Sequence, residues 1–93
     1  MISLAPIYTF YEPGLVFSAI SWISVDNIAG GTQDGSIFLY KLSKATKTPK
    51  SSQIWNAHNL VIVSMDTYKN TIATCALDGY LKLWDVNKLT CID

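Results

Sequence analysis

The sequence lacks the features by which many small proteins are cross-linked, exported or anchored. It contains only two cysteines, Cys75 and Cys91, and no Cys-x-x-Cys pair. Two isolated cysteines in strand-like runs favour free thiols in a reducing compartment over a disulfide. No apolar stretch approaches the roughly 20 residues that span a bilayer, and no basic leader precedes the first apolar residues. These absences predict a soluble intracellular protein, cytoplasmic or nuclear, with no membrane partner.

The chain also lacks an excess of charge of either sign. Seven Lys and Arg side chains balance seven Asp and Glu side chains, which gives a formal charge of zero. A neutral chain has no dominant electrostatic attraction to nucleic acid or to an anionic membrane surface. Hydrophobic residues make up 49% of the sequence, which is enough to build a packed core and argues against intrinsic disorder.

Helical periodicity is missing as well. No segment of ten residues carries apolar side chains at the 3.6-residue spacing of an amphipathic helix. Short alternating or β-branched runs are instead separated by turn residues, which is typical of strands. Asp34-Gly35 and Asp78-Gly79 are hairpin signals, because glycine accepts the positive φ of a tight turn. The sequence therefore predicts an all-β chain of antiparallel hairpins. The predicted strands cover residues 7–12, 15–23, 28–32, 37–42, 53–56, 60–65, 72–76 and 81–86.

Two stretches of the chain share one pattern at an offset of 44 residues. Residues 27–41, which belong to the first repeat, align with residues 71–85, which belong to the second repeat. Asp34-Gly35 falls on Asp78-Gly79, and Tyr40 falls on Trp84. A period of about 40–45 residues with four short strands in each unit is typical of a β-propeller blade.

The second repeat resembles the WD40 repeat family. Ala57-His58 stands where that family has Gly-His, and the Trp-Asp pair is intact at Trp84-Asp85. The resemblance implies a WD40-type propeller in which four side chains form a buried hydrogen-bonded network. In this sequence they are His58, Thr74, Asp78 and Trp84. In such a network each of the four buried side chains would have a hydrogen-bond partner.

The first repeat is an eroded copy of the same pattern. Glu12 stands at the histidine position, Gly30 replaces the hydroxyl residue, and Tyr40-Lys41 replaces Trp-Asp. Only Asp34-Gly35 is retained, so we expect no full network in the first repeat.

The resemblance predicts one partial propeller over residues 1–93, with about two four-stranded blades. Residues 7–12 would be the outer strand of a preceding blade, residues 15–56 the degenerate blade, and residues 60–93 a second blade with a truncated outer strand. Propellers close with roughly four to eight blades. We therefore expect either a piece of a longer propeller or a chain that another polypeptide completes.

Catalytic chemistry finds little support in the sequence. His58 is the only histidine and could act as a general base or a metal ligand, but membership of the network is the preferred role. Asp34, Asp78 and Asp85 could serve as acid–base carboxylates, yet each falls at a repeat-equivalent turn or strand end. Gly-x-Ser-x-Gly, phosphate-binding loops and His/Cys clusters are absent from the sequence. We predict a protein that is not an enzyme, with no catalytic residue, no cofactor and no metal site.

The resemblance also implies a docking surface for other proteins at the narrow end of the propeller. The contact positions of the family lie three and five residues after the histidine position and just before the turn aspartate. These positions are Leu15, Phe17, Gln33, Val61, Val63 and Leu77. Five of the six are apolar, which is typical of protein-binding surfaces. The favoured function is a scaffold that joins proteins into an assembly, through these residues or through the remainder of its own propeller.

A second hypothesis concerns the connector between the repeats. Lys41, Lys44, Lys47 and Lys50 recur at every third position and could contact phosphates in a nucleic-acid-bound complex. An ordinary solvated loop is the simpler interpretation. The eroded first repeat and the segment 77–80 are also faintly similar to WD-repeat subunits of the RNA polymerase III general transcription factor. Nucleic acid would then be contacted only indirectly, in a transcription or chromatin complex.

Overall fold

The computed structural model describes residues 8–43, 48–87 and 90–91. Over these ranges the chain forms eight strands and no helix. The strands are β1 Phe17–Ser24, β2 Asn27–Thr32, β3 Ser36–Lys41, β4 Ser51–Asn56, β5 Ile62–Tyr68, β6 Thr71–Ala76, β7 Leu81–Asp85 and β8 Thr90–Cys91. The prediction of an all-β chain is confirmed.

The strands form two antiparallel sheets, and in each sheet the spatial order follows the sequence. The first sheet has the order β1-β2-β3-β4 and the second has the order β5-β6-β7-β8. Gly35 closes the β2–β3 hairpin with φ 89°, and Gly79 closes the β6–β7 hairpin with φ 86°. Both turns fall where the sequence predicts them. Each repeat therefore contributes the middle hairpin of one four-stranded sheet.

The N-terminal segment differs from its prediction. The sequence predicts a strand over residues 7–12, whereas residues 8–12 form no strand and residue 7 lies outside the described part. A strand exists through pairing, and none of the described strands pairs with this segment. Phe10 instead packs its ring on Tyr40, with ring centroids 4.6 Å apart. Side-chain packing rather than a backbone ladder holds this segment to the first sheet.

The main hydrophobic cluster lies between the two sheets. Its fully buried side chains include Ile37 from the first sheet and Ile62 and Ile72 from the second. Ser21 on β1 bridges the sheets with a 2.6 Å hydrogen bond to Thr67 on β5. A second cluster of Ile28, Phe38 and Tyr40 lies on the opposite face of the first sheet, under Phe10 and Leu15. The first sheet is thus covered on one face by the second sheet and on part of the other face by Phe10 and Leu15, while the second sheet is covered mainly on one face.

Candidate functional site

The four residues of the implied network lie on different elements of the second repeat. His58 is in the segment between β4 and β5, Thr74 is on β6, Asp78 is in the β6–β7 turn, and Trp84 is on β7. His58 Nδ1 lies 3.0 Å from Asp78 Oδ2, and His58 Nε2 lies 2.7 Å from Thr74 Oγ1. Trp84 Nε1 donates to Thr74 Oγ1 at 3.0 Å. The structure therefore brings all four side chains into one continuous chain of contacts.

The proton arrangement follows from what each group can donate. Trp84 can only donate, so the Thr74 oxygen accepts from it and the Thr74 hydroxyl hydrogen is left for His58 Nε2. His58 Nδ1 then carries the hydrogen that faces the Asp78 carboxylate. His58 and Thr74 are each 1% exposed. Both ring nitrogens are occupied by neighbours, so this histidine is suited to a structural role.

The carboxylate of Asp78 is held ionised by the surrounding donors. Burial acts to raise its pKa, but the backbone N–H groups of Tyr80 and Asn59, together with the His58 ring, lower that pKa below the usual value for aspartate. Tyr80 N lies 3.0 Å from Oδ1, and Asn59 N lies 3.2 Å from Oδ2. One side chain therefore organises both its own turn and the segment that carries the histidine.

The first repeat replaces this network with a direct contact between two residues. The Tyr40 hydroxyl donates to the Glu12 carboxylate, so the side chains at the tryptophan and histidine positions meet without an intermediate. Gly30 has no side chain, and the Phe17 ring occupies the space beside it, because a Cβ at Gly30 would lie 2.7 Å from that ring. Burial, and then the hydrogen bond and charge of Glu12, raise the pKa of Tyr40. Sequence reasoning missed this pair.

The turn aspartate of the first repeat is also held by a different partner. The Thr32 hydroxyl donates to Asp34 Oδ1, which also accepts the Ser36 backbone N–H at 3.2 Å. The Thr32 hydrogen bond is the main reason that the pKa of Asp34 lies below its usual value. Thr32 stands where the second repeat has Ala76. In the sequence, the threonine two residues before Asp34 is the feature from which this contact could have been predicted.

An open cavity lies between the loops at one end of the two sheets, and we call it the loop cavity. It has a volume of about 460 Å³. Its lining residues are Gly14, Leu15, Val16, Gln33, Asp34, Leu60, Val61 and Leu77. Matching backbone hydrogen bonds hold its two halves, from Gln33 N to Val16 O at 2.9 Å and from Leu77 N to Val61 O at 3.1 Å. Both repeats thus present equivalent loops to one surface.

The structure places four of the six sequence-predicted docking residues in the loop cavity: Leu15, Gln33, Val61 and Leu77. The other two lie elsewhere. Phe17 packs edge-on against Phe38 and Tyr40, with centroid distances of 6.1 and 6.2 Å, because the side chain missing at Gly30 leaves space for its ring. Val63 lies at a register irregularity of β5 and is 48% exposed outside the cavity. Val16 and Leu60 line the cavity in addition to the predicted set.

The lysine hypothesis is only partly covered by the structure. Lys41 and Lys50 are exposed, while Lys44 and Lys47 lie outside the described residues. Nucleic-acid contact through these lysines stays a prediction. Among the described residues, no group of three or more His, Cys, Asp or Glu side chains is arranged to hold a metal ion. None of the described elements is a helix with the length and apolar character needed to cross a membrane.

Comparison with solved structures establishes the fold. Ika4, a computationally designed protein, superposes with a TM-score of 0.78 at 15% identity, over 97% of this chain and 53% of that one. A chain from the COPII outer coat vertex on membranes gives 0.66 at 25% identity, over 77% of this chain and 20% of that one. Sqt1 of Saccharomyces cerevisiae gives 0.68 at 13% identity, over 89% and 22%. The fold is that of two neighbouring blades of a WD40-type β-propeller.

This chain spans about half the length of the Ika4 chain and about a fifth of the other two. No protein-family model and no curated protein sequence matches it. The structural similarity therefore gives the architecture, and the function has to be argued from the surface of this chain itself.

Proposed function

We propose that this chain is a non-catalytic scaffold module that binds a short segment of a partner protein in the loop cavity. The observation that carries the proposal is the convergence of apolar side chains from both repeats around one open cavity of about 460 Å³. Leu60 is 50% exposed and Leu77 is 66% exposed at this surface. Apolar side chains that remain open to water in a concave surface favour protein binding.

The negative charge in the cavity indicates which residues a partner segment would carry. Asp34 is exposed at the cavity, and its lowered pKa keeps it ionised at neutral pH. Gln33 beside it offers both a donor and an acceptor. An extended apolar segment that carries a lysine or arginine next to its apolar residues would match this combination. The structural role of His58 supports a binding function over catalysis, since both of its ring nitrogens already have partners.

Selection from a displayed library of short random peptides on the immobilised chain tests this proposal. We expect the enriched peptides to share apolar residues beside a basic one. Leu77→Asp should weaken their binding by at least about tenfold, because a charged group would enter the apolar part of the cavity. Val63→Asp is the matched control, since Val63 is similarly exposed but lies outside the cavity. Equal losses from both variants, or unchanged binding by Leu77→Asp, would contradict the proposal.

The assembly in which such a scaffold acts remains a prediction from sequence. The similarity to subunits of the RNA polymerase III general transcription factor and an intracellular location both belong to that prediction. A salt titration separates peptide docking from phosphate contact by the lysine connector. Apolar docking changes little with salt, whereas phosphate contact weakens steeply as salt rises.

A further inference from the structure

The far face of the first sheet, meaning the face turned away from the second sheet, carries an apolar position that is buried in the other repeat. Ile20 pairs with Gly30 across β1 and β2, and Met65 pairs with Thr74 across β5 and β6. Gly30 and Thr74 are repeat equivalents, so Ile20 and Met65 are equivalents too. Met65 is 9% exposed because the first sheet covers it, whereas Ile20 is 64% exposed.

The far face of the second sheet also carries an exposed apolar residue, and its equivalent in the first sheet is buried. Ile37 pairs with Gly31 in the first sheet, and Leu81 pairs with Cys75 in the second, at the same offset of 44 residues. Ile37 is fully buried between the sheets, whereas Leu81 is 64% exposed. Inside the chain, the face of the first sheet that carries Ile37 packs on the face of the second sheet that carries Met65. The far face of the first sheet is equivalent to the Met65 face, and the far face of the second sheet is equivalent to the Ile37 face. Both far faces are exposed at these positions.

We propose that two copies of this chain associate head to tail through these far faces. The far face of the first sheet of each copy packs on the far face of the second sheet of the other copy. Two identical contacts related by a two-fold axis then close a ring of four sheets. Four blades is the lower limit of common propellers. The two-sheet unit also accounts for 53% of the length of the Ika4 chain, so two such units match the length of a folded protein.

A polar pair also supports the contact between copies. It lies at the position equivalent to a hydrogen bond that joins the two sheets inside one chain. Within the chain, Ser21 bonds Thr67 at 2.6 Å. By register, Asp66 is the equivalent of Ser21 and Trp22 is the equivalent of Thr67. The contact between copies therefore replaces two hydroxyls by an indole N–H, which only donates, and a carboxylate, which accepts. Trp22 is 58% exposed in the single chain and is available for this role.

The apolar packing at the same contact is also compatible in size. Inside the chain, Met65 lies so close to Gly31 that a Cβ there would come within 2.8 Å of the Met65 sulfur. Between copies, the equivalent positions hold Cys75 and Ile20. The larger residue at the glycine position then faces a side chain one bond shorter than methionine. Cys75 needs more space than Gly31, and Ile20 needs less space than Met65. The two differences therefore offset each other in the space that is required between the sheets.

Residues 8–12 of the N-terminal segment lie on the far face of the first sheet and cover only part of it. Glu12 contacts Tyr40 at the positions that correspond to His58 and Trp84 in the second repeat. The segment therefore contacts the first sheet at the position equivalent to the histidine–tryptophan network of the second repeat. It leaves Ile20 and Trp22 exposed beside it.

Light scattering after size-exclusion chromatography tests the proposal on the 93-residue chain. We expect twice the single-chain mass for the parent protein. Ile20→Glu and Leu81→Glu should each raise the dissociation constant by at least about tenfold, because each places a charge in one half of the contact. Val25→Glu is the matched control, since Val25 lies in the β1–β2 turn and is 95% exposed. Far-ultraviolet circular dichroism checks that each variant is folded, and Ile20→Ser and Leu81→Ser replace any that is not.

A mixing experiment distinguishes head-to-tail contact from any other dimer. Ile20→Glu retains an intact far face on its second sheet, and Leu81→Glu retains one on its first sheet. An equimolar mixture should therefore form a heterodimer through one intact contact, more weakly than the parent but more tightly than either variant alone. A monomeric parent, a parent assembly larger than a dimer, or a mixture that behaves as the sum of its parts would each overturn the proposal. The first of these results would indicate that another chain or further sheets cover the far faces.

Discussion

The carbonyl oxygen of Gly35 accepts the backbone N–H of His58 at 2.9 Å. The hairpin turn of the first repeat therefore holds the histidine of the network in the second repeat. The same oxygen accepts the N–H of Ala57, also at 2.9 Å. The two sheets are thus coupled by backbone contacts at the turn as well as by the apolar cluster between them.

The first prediction compares two glycines that occupy equivalent turns. A Cβ at Gly35 would lie 2.0 Å from the His58 carbonyl oxygen, whereas one at Gly79 would meet nothing within 4 Å. Both have positive φ, so Gly79→Ala should cost only the backbone strain of about 1–2 kcal/mol. Gly35→Ala should cost about 1–3 kcal/mol more from the steric clash. Urea unfolding of both variants measures the difference, and equal losses would contradict the coupling between turn and histidine.

The second prediction concerns the hydroxyl at the centre of the network. Thr74→Val removes the group that accepts from Trp84 and meets His58 Nε2, which leaves two buried nitrogens without that partner. We expect a loss of about 1–3 kcal/mol in the free energy of unfolding. Thr48→Val, at an exposed position, should change it little. If the two variants unfold at the same urea concentration, the network does not stabilise the fold.

The middle hairpins were predictable from sequence because their signals are local. An Asp-Gly pair between two apolar runs needs the positive φ that only glycine adopts easily, so the turns at Gly35 and Gly79 follow from the chain itself. The register of the second repeat follows from these turns. Once Asp78 and Trp84 are placed, strand geometry brings Thr74 between them.

The contacts of the first repeat were not predictable in the same way. The Glu12–Tyr40 pair joins residues 28 positions apart, and Gly30 stands where the second repeat has the hydroxyl that links the equivalent positions. The burial of Phe17 also involves Gly30, since its ring takes the space that a side chain at Gly30 would need. Residues 8–12 have the composition of a strand, but a strand also requires a neighbour to pair with. These features depend on a side chain that Gly30 lacks and on a neighbouring strand that residues 8–12 lack. Local sequence patterns predict neither.

The third prediction is a loss of stability at alkaline pH through Tyr40. Burial and the Glu12 carboxylate raise the pKa of Tyr40 in the folded chain above the value of about 10 for an unfolded chain. Because the folded state favours the protonated hydroxyl, its stabilising contribution is complete below about pH 10 and declines as the pH rises further. The free energy of unfolding of the parent should therefore fall above pH 10. Tyr40→Phe should show a smaller fall over the same range, and identical slopes would contradict this assignment.

The fourth prediction is a loss of stability at acid pH through Asp78. The backbone donors of Tyr80 and Asn59, and the His58 ring, outweigh the effect of burial and keep the pKa of Asp78 below its usual value of about 3.9. Folding therefore favours the ionised carboxylate, so its contribution is present above about pH 4 and is lost as the pH falls below it. Asp78→Asn should lower stability at neutral pH and flatten the acid limb of the stability profile. Denaturant titrations between pH 2 and 7 measure these slopes, and a parent-like slope for Asp78→Asn would show that the Asp78 carboxylate does not govern acid unfolding.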